Sequence, residues 1–474
     1  MLDTLRFQNF KSWRDTGEIR LAPITGFFGT NSSGKSSILQ FLLMLKQTVE
    51  SNDQQQVLNL GSDRTYVDLG TSYDILHQQI TYQPTTLEFE IGWHLSKTDP
   101  NPTLPTRAVL MGPDGRVKII PVSASFEHSY PMPMMGDPIT GFRFEAEIAF
   151  EADEIKSRQF SYHYQAMEHW NQVGMSFMPD TPVNPYRLLH SGVPTQIAIH
   201  PHELRLASPT KFYGFPGEAR LQFKSGEFLQ TLSLALEQVF GKIYYLGPLR
   251  DFPKRSYTWS GEKPQDVGRR GELAVAALLA AKKQDPEVEV KVANWLKRLG
   301  LVDDFKVLPI APPRRDYEVR LCSRPNSAKA VLITDVGFGV SQILPVLVLC
   351  YYAPEGSTVI LEQPEIHLHP FVQAGLADLF VTVARERNLQ IIIESHSEHL
   401  LRRLQRRIAE AQISHDQTAL YFCDMDDTGC SHLLPLVLDE FGNINNWPTD
   451  FFGDEMGDLV AMTEAAMQRQ MANE

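Results

Sequence analysis

The eight residues Gly29-Thr-Asn-Ser-Ser-Gly34-Lys35-Ser36 constrain this chain more than any other stretch. They form a complete G-x-x-x-x-G-K-S, preceded by the apolar run Ile24-Thr-Gly-Phe-Phe28 and followed by Ile38, Leu39, Leu42, Leu43 and Leu45 at helical spacing. A strand, a glycine turn and a helix in that order aim successive backbone N–H groups into one hollow, and the helix N-terminus adds partial positive charge. Such a loop cradles phosphates. Gly29 and Gly34 permit the turn, Lys35 sets a point charge against the β- and γ-phosphates, and the Ser36 hydroxyl is the expected magnesium ligand. Asn31, Ser33 and Ser37 belong to the same expected nucleotide-binding set, with ATP and Mg2+ as its cofactors.

A nucleoside triphosphatase also needs a carboxylate at the end of a neighbouring buried strand, and Val359-Ile-Leu-Glu362-Gln363-Pro-Glu365 fits that position. It lies more than three hundred residues after Lys35, which is natural only if other structure is inserted between. About thirty residues further on, a second apolar strand ends in Glu394-Ser-His396-Ser397. A histidine at a strand's carboxyl end, beside the nucleotide crevice, is placed to hydrogen-bond the γ-phosphate. The expected catalytic set is therefore Glu362, Gln363, Glu365 and His396, with Ser36 and Glu362 holding the metal.

The remaining pattern indicates an α/β chain. The strand Ser357–Leu361, a helix Phe371–Arg387, the strand Leu389–Ile393 and a helix Glu398–Glu410 follow one another, and uninterrupted Val/Ile/Leu strands predict a parallel sheet covered on both faces. Helices are also predicted at Glu272–Lys283 and Glu287–Leu299, and a buried one around Ile343–Ala353. Between about 80 and 240, short alternating runs such as Leu87–Ile91 and Phe142–Phe150 predict antiparallel β structure. The expected organisation is a split head, 1–80 and 240–440, a β-rich insertion at 81–239, and a C-terminal tail or interaction segment at 441–474 that includes Trp447, Phe451 and Phe452. No internal repeat and no long heptad array is present.

Together, Phe10-Lys11-Ser12-Trp13, the P-loop, Leu361-Glu-Gln-Pro-Glu-Ile-His-Leu-His369-Pro370 and Glu394–Ser397 resemble the ABC-type ATPase heads of the RecF, structural-maintenance-of-chromosomes and OLD-nuclease group. The likeness is strongest to small, coil-less bacterial ATPases, many of them in phage-defence operons. It implies an ABC-type P-loop head with a helical signature lobe, in which two copies sandwich ATP and the P-loop of one faces a signature loop of the other. By the same resemblance Lys11 joins the nucleotide-binding set, and Asp335–Gln342 stands as the signature loop with Gly339 and Ser341 as its contact residues. His369 takes the position that reaches across the dimer. The implied partners are a second copy of the chain and an effector protein such as a nuclease or toxin. The family pattern carries Asp-Glu where this chain has Glu362-Gln363; a glutamine can orient water but cannot take its proton. Either Glu362 or Glu365 then serves as base, or turnover is slow.

Composition narrows the alternatives. With 44 basic and 57 acidic residues the formal charge is −13, which weakens general DNA binding without excluding a local basic groove. Arg250, Lys254, Arg255, Lys263, Arg269 and Arg270 form a basic stretch that could bind nucleic-acid phosphates, line the ATP site or pair with local acids; Arg250 is a candidate nucleotide or dimer contact. Arg402, Arg403, Arg406 and Arg407 share a helical face, read as solvated or as a DNA contact. A RecF-like DNA-repair ATPase is the alternative function. Asp426–Gly429 reads as a hairpin turn rather than part of a nuclease centre. No apolar run spans a bilayer, no secretory signal opens the chain, and four cysteines form no framework, so a cytoplasmic location without membrane attachment is expected.

Overall fold

The computed structural model describes residues 1–77, 85–94, 107–111, 117–121, 139–151, 154–166, 169–181, 183–191, 205–222, 226–311, 314–322, 330–448, 451 and 455–472. Phe452, named above with the C-terminal segment, lies outside them.

The P-loop strand Ile24–Gly29 sits inside a six-stranded sheet, ordered Ile243–Leu246, Thr358–Glu362, Gln390–Glu394, Ile24–Gly29, Thr418–Met425 and Ser431–Leu436. The first five strands run parallel and the last is antiparallel. The buried strands thus form the parallel sheet their composition predicts, and both faces are covered. Alternation along each strand divides the sheet between two apolar cores. Phe27, Ile360, Ile392, Ala419 and Tyr421 face one core, which contains the P-loop helix Lys35–Glu50. Phe28, Val359, Leu361, Ile391, Ile393 and Phe422 face the other, built with the helices Ala274–Gln284, Phe338–Tyr352, Pro370–Arg387 and Glu398–Ala409.

A second sheet of eight strands is antiparallel throughout. Its order is Tyr186–Ser191, His169–Phe177, Glu154–Ala166, Ile139–Glu151, Thr85–Trp93, Leu2–Phe10 and Trp13–Asp15, with Ile19–Arg20 also paired to Leu2–Phe10. The strands between 85 and 191 are therefore hydrogen-bonded, through Thr85–Trp93, to the strand that opens the chain. Phe7 stacks on Phe41 of the P-loop helix at 4.4 Å between centroids, locking this sheet against it.

The helix Phe338–Tyr352 continues through Pro345, which the sequence marks as an interruption. Gly271 packs directly on that proline, so close that a Cβ there would lie 2.5 Å from it. The arginines of the helix Glu398–Ala409 all find acids: Arg403 and Arg407 share Asp378 at 2.9 and 2.6 Å, Arg402 meets Glu398 at 3.1 Å, and Arg406 meets Glu410 at 2.7 Å. Thr418–Met425 and Ser431–Leu436 pair across a turn in which Asp426 Oδ1 accepts the Thr428 and Cys430 N–H groups, as a hairpin requires. Among the described residues, no helix is long and apolar enough to cross a membrane.

Candidate nucleotide site

The P-loop turn depends on glycines at positions where a side chain has no room. Gly29 adopts φ 135°, and a Cβ there would meet the Cys423 carbonyl oxygen at 2.0 Å. Gly34, at φ 86°, is hemmed by Ser431, Trp13 and Ser12, and its carbonyl accepts the Trp13 indole N–H at 3.0 Å. A Gly29→Ala chain is expected to lose roughly 2–4 kcal/mol of stability, because neighbouring backbone must move. Gly356→Ala, also at positive φ but with nothing within 4 Å of its added Cβ, should cost only about 1 kcal/mol. Chemical denaturation of the two variants checks the contrast, and equal losses would refute it.

Lys35 opens the helix and is buried, its ammonium turned onto the Gly29 carbonyl at 3.1 Å, the Thr30 carbonyl and Ser33 Oγ at 3.3 Å. Ser33 itself is fully buried, its hydroxyl on Thr30 O, while Asn31 stands exposed at the loop's crest. Ser37 donates its backbone N–H to Gly34 O. Burial pulls the Lys35 pKa down, partly offset by Glu394. Among the described residues Lys35 has no carboxylate salt-bridge partner, and a cation so placed inside a hollow of N–H groups fits a bound polyphosphate.

Opposite the loop lie three buried carboxyl groups. Glu362 and Glu394 end adjacent parallel strands and are register partners; Glu394 in turn pairs with Phe27 of the P-loop strand. Glu394 therefore stands between Glu362 and the P-loop. Ser36 Oγ donates to Glu394 Oε1 at 2.8 Å, while the other Glu394 oxygen is buried with no hydrogen-bond partner. Glu362 accepts from the Tyr245 hydroxyl at 3.2 Å. Glu365 Oε1 accepts the His396 backbone N–H at 2.7 Å. Gln363 is held at φ 43°, with its backbone N–H on Glu394 O at 2.8 Å. Lys11, also at positive φ, bonds Gln40 of the P-loop helix and lies close enough to feel the Glu362 charge. The sequence reading missed Glu394 and Tyr245; a carboxylate closing an otherwise apolar strand, Gln390-Ile-Ile-Ile-Glu394, was the available signal.

Burial raises the pKa of all three carboxyls, and Glu362, further opposed by the Glu394 charge, is pushed up to about 8. Among the described residues, no cluster of three or more His, Cys, Asp or Glu side chains is arranged to enclose a metal. The hydroxyl of Ser36 and one or two carboxylates nevertheless suit magnesium, which keeps several waters and takes the rest of its ligands from phosphates. His396 is exposed beside the loop, with its pKa lowered by partial desolvation and then by Lys35.

The raised Glu362 pKa has a measurable consequence. Below the ordinary value of 4.5 the group is protonated whether the chain is folded or not; between there and about 8 only the folded chain keeps the proton. Unfolding then releases a proton, so without nucleotide the stability contributed by this group declines as pH rises across that window. Melting temperatures of wild type and Glu362→Gln, followed from pH 5 to pH 8.5, should converge at the acid end and separate in favour of the variant at the alkaline end. A constant difference would reject the shifted pKa.

The remaining expected residues lie on the other side of the carboxylate strand. Ser341 is buried near the start of Phe338–Tyr352, and its hydroxyl bonds the Phe338 carbonyl at 2.7 Å. Gly339 is half-buried, whereas Gly337 and Phe338 are exposed. His369 caps the helix Pro370–Arg387, its Nδ1 accepting the Phe371 N–H.

A parallel sheet, a glycine loop over a buried lysine and carboxylates at the neighbouring strand ends define an ABC-type P-loop ATPase head. The family described as "AAA domain, putative AbiEii toxin, Type IV TA system" matches residues 139–402, more than half of the chain, and the protein belongs to it. A family described as "AAA ATPase domain" matches residues 1–108, and one of unknown function, DUF3696, matches 413–462. No curated protein matches the chain. Similar solved structures include an SMC head bound to the C-terminal winged-helix domain of ScpA, with 12% identity and TM-score 0.42 over 92% of this chain and 98% of that one. The SMC head of Thermotoga maritima gives 10% and 0.39 over 92% and 99%. An SMC head with an extended coiled coil, bound to the C-terminal domain of ScpA derived from Pyrococcus furiosus, gives 11% and 0.41 over 92% and 96%.

Proposed function

We propose that this ATPase is a slow, nucleotide-gated switch: ATP joins two copies through the P-loop face, and the joined form controls an effector protein in antiviral defence. The observation that carries the reading is the line of groups from Lys35 through Ser36 and Glu394 to Glu362, which crosses three adjacent strand ends of one sheet. Lys35 and the loop N–H groups would hold the phosphates, and Ser36 and Glu394 the magnesium, leaving the Glu362 carboxylate for the attacking water. Bound magnesium would neutralise charge developing on the transferred phosphoryl group.

The protein's own groups then set the rate. Gln363, fixed by its backbone bond to the Glu394 strand, orients water through its amide but accepts no proton. Glu362, buried at the adjacent strand end, is the carboxylate proposed to take that proton. Glu365 acts on His396 by fixing its backbone N–H. A weak water-activating residue favours a long-lived bound state, which suits a switch better than a motor.

A second copy is the partner favoured for the face around Phe338–Tyr352. Phe338, Phe252, Leu249 and Phe371 are all exposed there, with Phe338 ringed by Phe252 at 6.1 Å and His367 at 5.5 Å. The arginines of Glu398–Ala409 are paired with acids, Arg403 and Arg407 with the buried Asp378, which favours the switch reading over the DNA-repair alternative. Light scattering of the purified chain should show the mass doubling with a non-hydrolysable ATP analogue and Mg2+, but not with ADP. An unchanged mass with bound analogue would overturn the gating proposal.

A further inference from the structure

Arg250 is almost wholly buried, 6% exposed, yet its hydrogen-bonding capacity is scarcely used. It sits on the turn after Ile243–Leu246, the strand beside the carboxylate strand, where Leu246 pairs with Leu361. The turn is pinned by Gly247 N–H on Arg269 O and Asp251 N–H on Arg270 O, both at 2.8 Å. From there the guanidinium reaches Glu362, but only one nitrogen makes a contact, Nη2 to the Glu362 carbonyl at 3.5 Å. Nε and Nη1 are buried with no hydrogen-bond partner.

Buried donors left unsatisfied on a charged group are costly, and folds rarely retain them without a use. The neighbouring carboxylates of Glu362 and Glu365 act on the guanidinium through their charge, without a direct side-chain hydrogen bond to it, and Glu365 Oε2 is itself buried with no hydrogen-bond partner. The Glu362 side chain is engaged by Tyr245, and Glu365 Oε1 by the His396 N–H. Burial lowers the Arg250 pKa to about 10, so the group is still a cation at neutral pH. Nε–H and the Nη1 N–H groups lie on different edges of the planar cation and offer donors to separate phosphate oxygens.

The sheet order says which phosphate. The strand preceding Arg250 is three inter-strand steps from the P-loop strand, roughly 14 Å at about 4.8 Å per step. Lys35 and Ser36 occupy one end of that span, Arg250 the other, and Glu362 and Glu394 lie between. A polyphosphate chain held by the P-loop and extended along these strand ends would carry its terminal group toward Arg250. We propose that Arg250 is an intramolecular contact for the terminal phosphate, which lets a single subunit tell a nucleoside triphosphate from a diphosphate. The inference rests on the nucleotide reading of the P-loop and adds the residue that makes the site selective. It also explains how selectivity reaches the surface. Leu249 and Phe252 flank Arg250 in the chain, are 68% and 70% exposed, and Phe252 touches Phe338 at the proposed dimer face.

The experiment compares affinities for a non-hydrolysable ATP analogue and for ADP in wild type, Arg250→Gln and Arg250→Lys. Arg250→Gln should weaken the analogue roughly tenfold or more, while ADP changes less than about threefold. Arg250→Lys, which keeps the charge but loses the spread of planar donors, should fall between. Equal loss for both nucleotides, or no loss for either, overturns the proposal by reducing Arg250 to a structural part. Trypsin cleavage at Lys254 and Arg255 of the unmodified protein gives a readout free of substitution. The analogue should protect these sites more than ADP does, and identical protection counts against the inference. Wild type that binds neither nucleotide would instead sink the P-loop reading itself.

Discussion

Lys35→Ala should abolish ATP turnover. The side chain supplies the only ammonium turned into the P-loop hollow among the described residues, and its contacts are confined to Gly29 O, Thr30 O and Ser33 Oγ. Losing a preorganised cation beside a transferring phosphoryl group costs on the order of 10³-fold in rate. Triphosphate affinity should fall by about 10²-fold. The fold should survive, because Lys35 is buried against its own charge preference and makes no salt bridge among the described residues. Phosphate release and nucleotide binding would be measured together with the melting temperature. Phosphate release at the wild-type rate in this variant would mean that the hydrolysis comes from another site or another protein.

The second large effect distinguishes the three carboxyls. Glu394→Gln and Glu362→Gln should each lower phosphate release by about 10²-fold or more, with the nucleotide still bound, because both stand where metal and water must be held. Glu365→Gln keeps an oxygen able to accept the His396 N–H and should cost only about tenfold. Glutamine is isosteric with glutamate, so the fold is preserved and the series reads charge alone. Were Glu365→Gln the most damaging of the three, the proton acceptor would be Glu365 and the role given to Glu362 would be wrong.

Gln363 bears on the same series. Gln363→Glu would add a proton acceptor at a backbone already fixed at φ 43° against the Glu394 strand. Faster turnover in that variant would identify Gln363 as the residue that keeps the switch slow.

The P-loop, the two apolar strands and their following helices could be read in the sequence because each is specified locally. Glycine at φ 135°, a run of β-branched and leucine residues, and helical spacing of apolar side chains are properties of short segments. Glu362 and His396 were visible for the same reason, as polar residues closing buried strands. The role of Glu394 was not, although the residue belongs to an equally legible strand. Its meaning comes from strand order: that strand is inserted between the carboxylate strand and the P-loop strand, and Ser36 bonds the nearer acid.

Arg250 shows the same division. A run of basic residues in an acidic chain left nucleotide, nucleic acid and local acids equally open, since charge along a sequence does not say which side chains are desolvated. Folding separated them: Arg255 pairs with Asp335 at the surface, Arg269 donates to the Thr65 carbonyl, and Arg250 alone is enclosed beside Glu362 with donors unused. The amino-acid order by itself determined a phosphate-gripping loop, a parallel sheet and the acids at its strand ends, because those rest on backbone geometry and side-chain periodicity. Which acid meets which hydroxyl, and which arginine is held dry, was decided only when distant strands came together in one sheet, because pairing and burial depend on neighbours that the chain brings from hundreds of residues away.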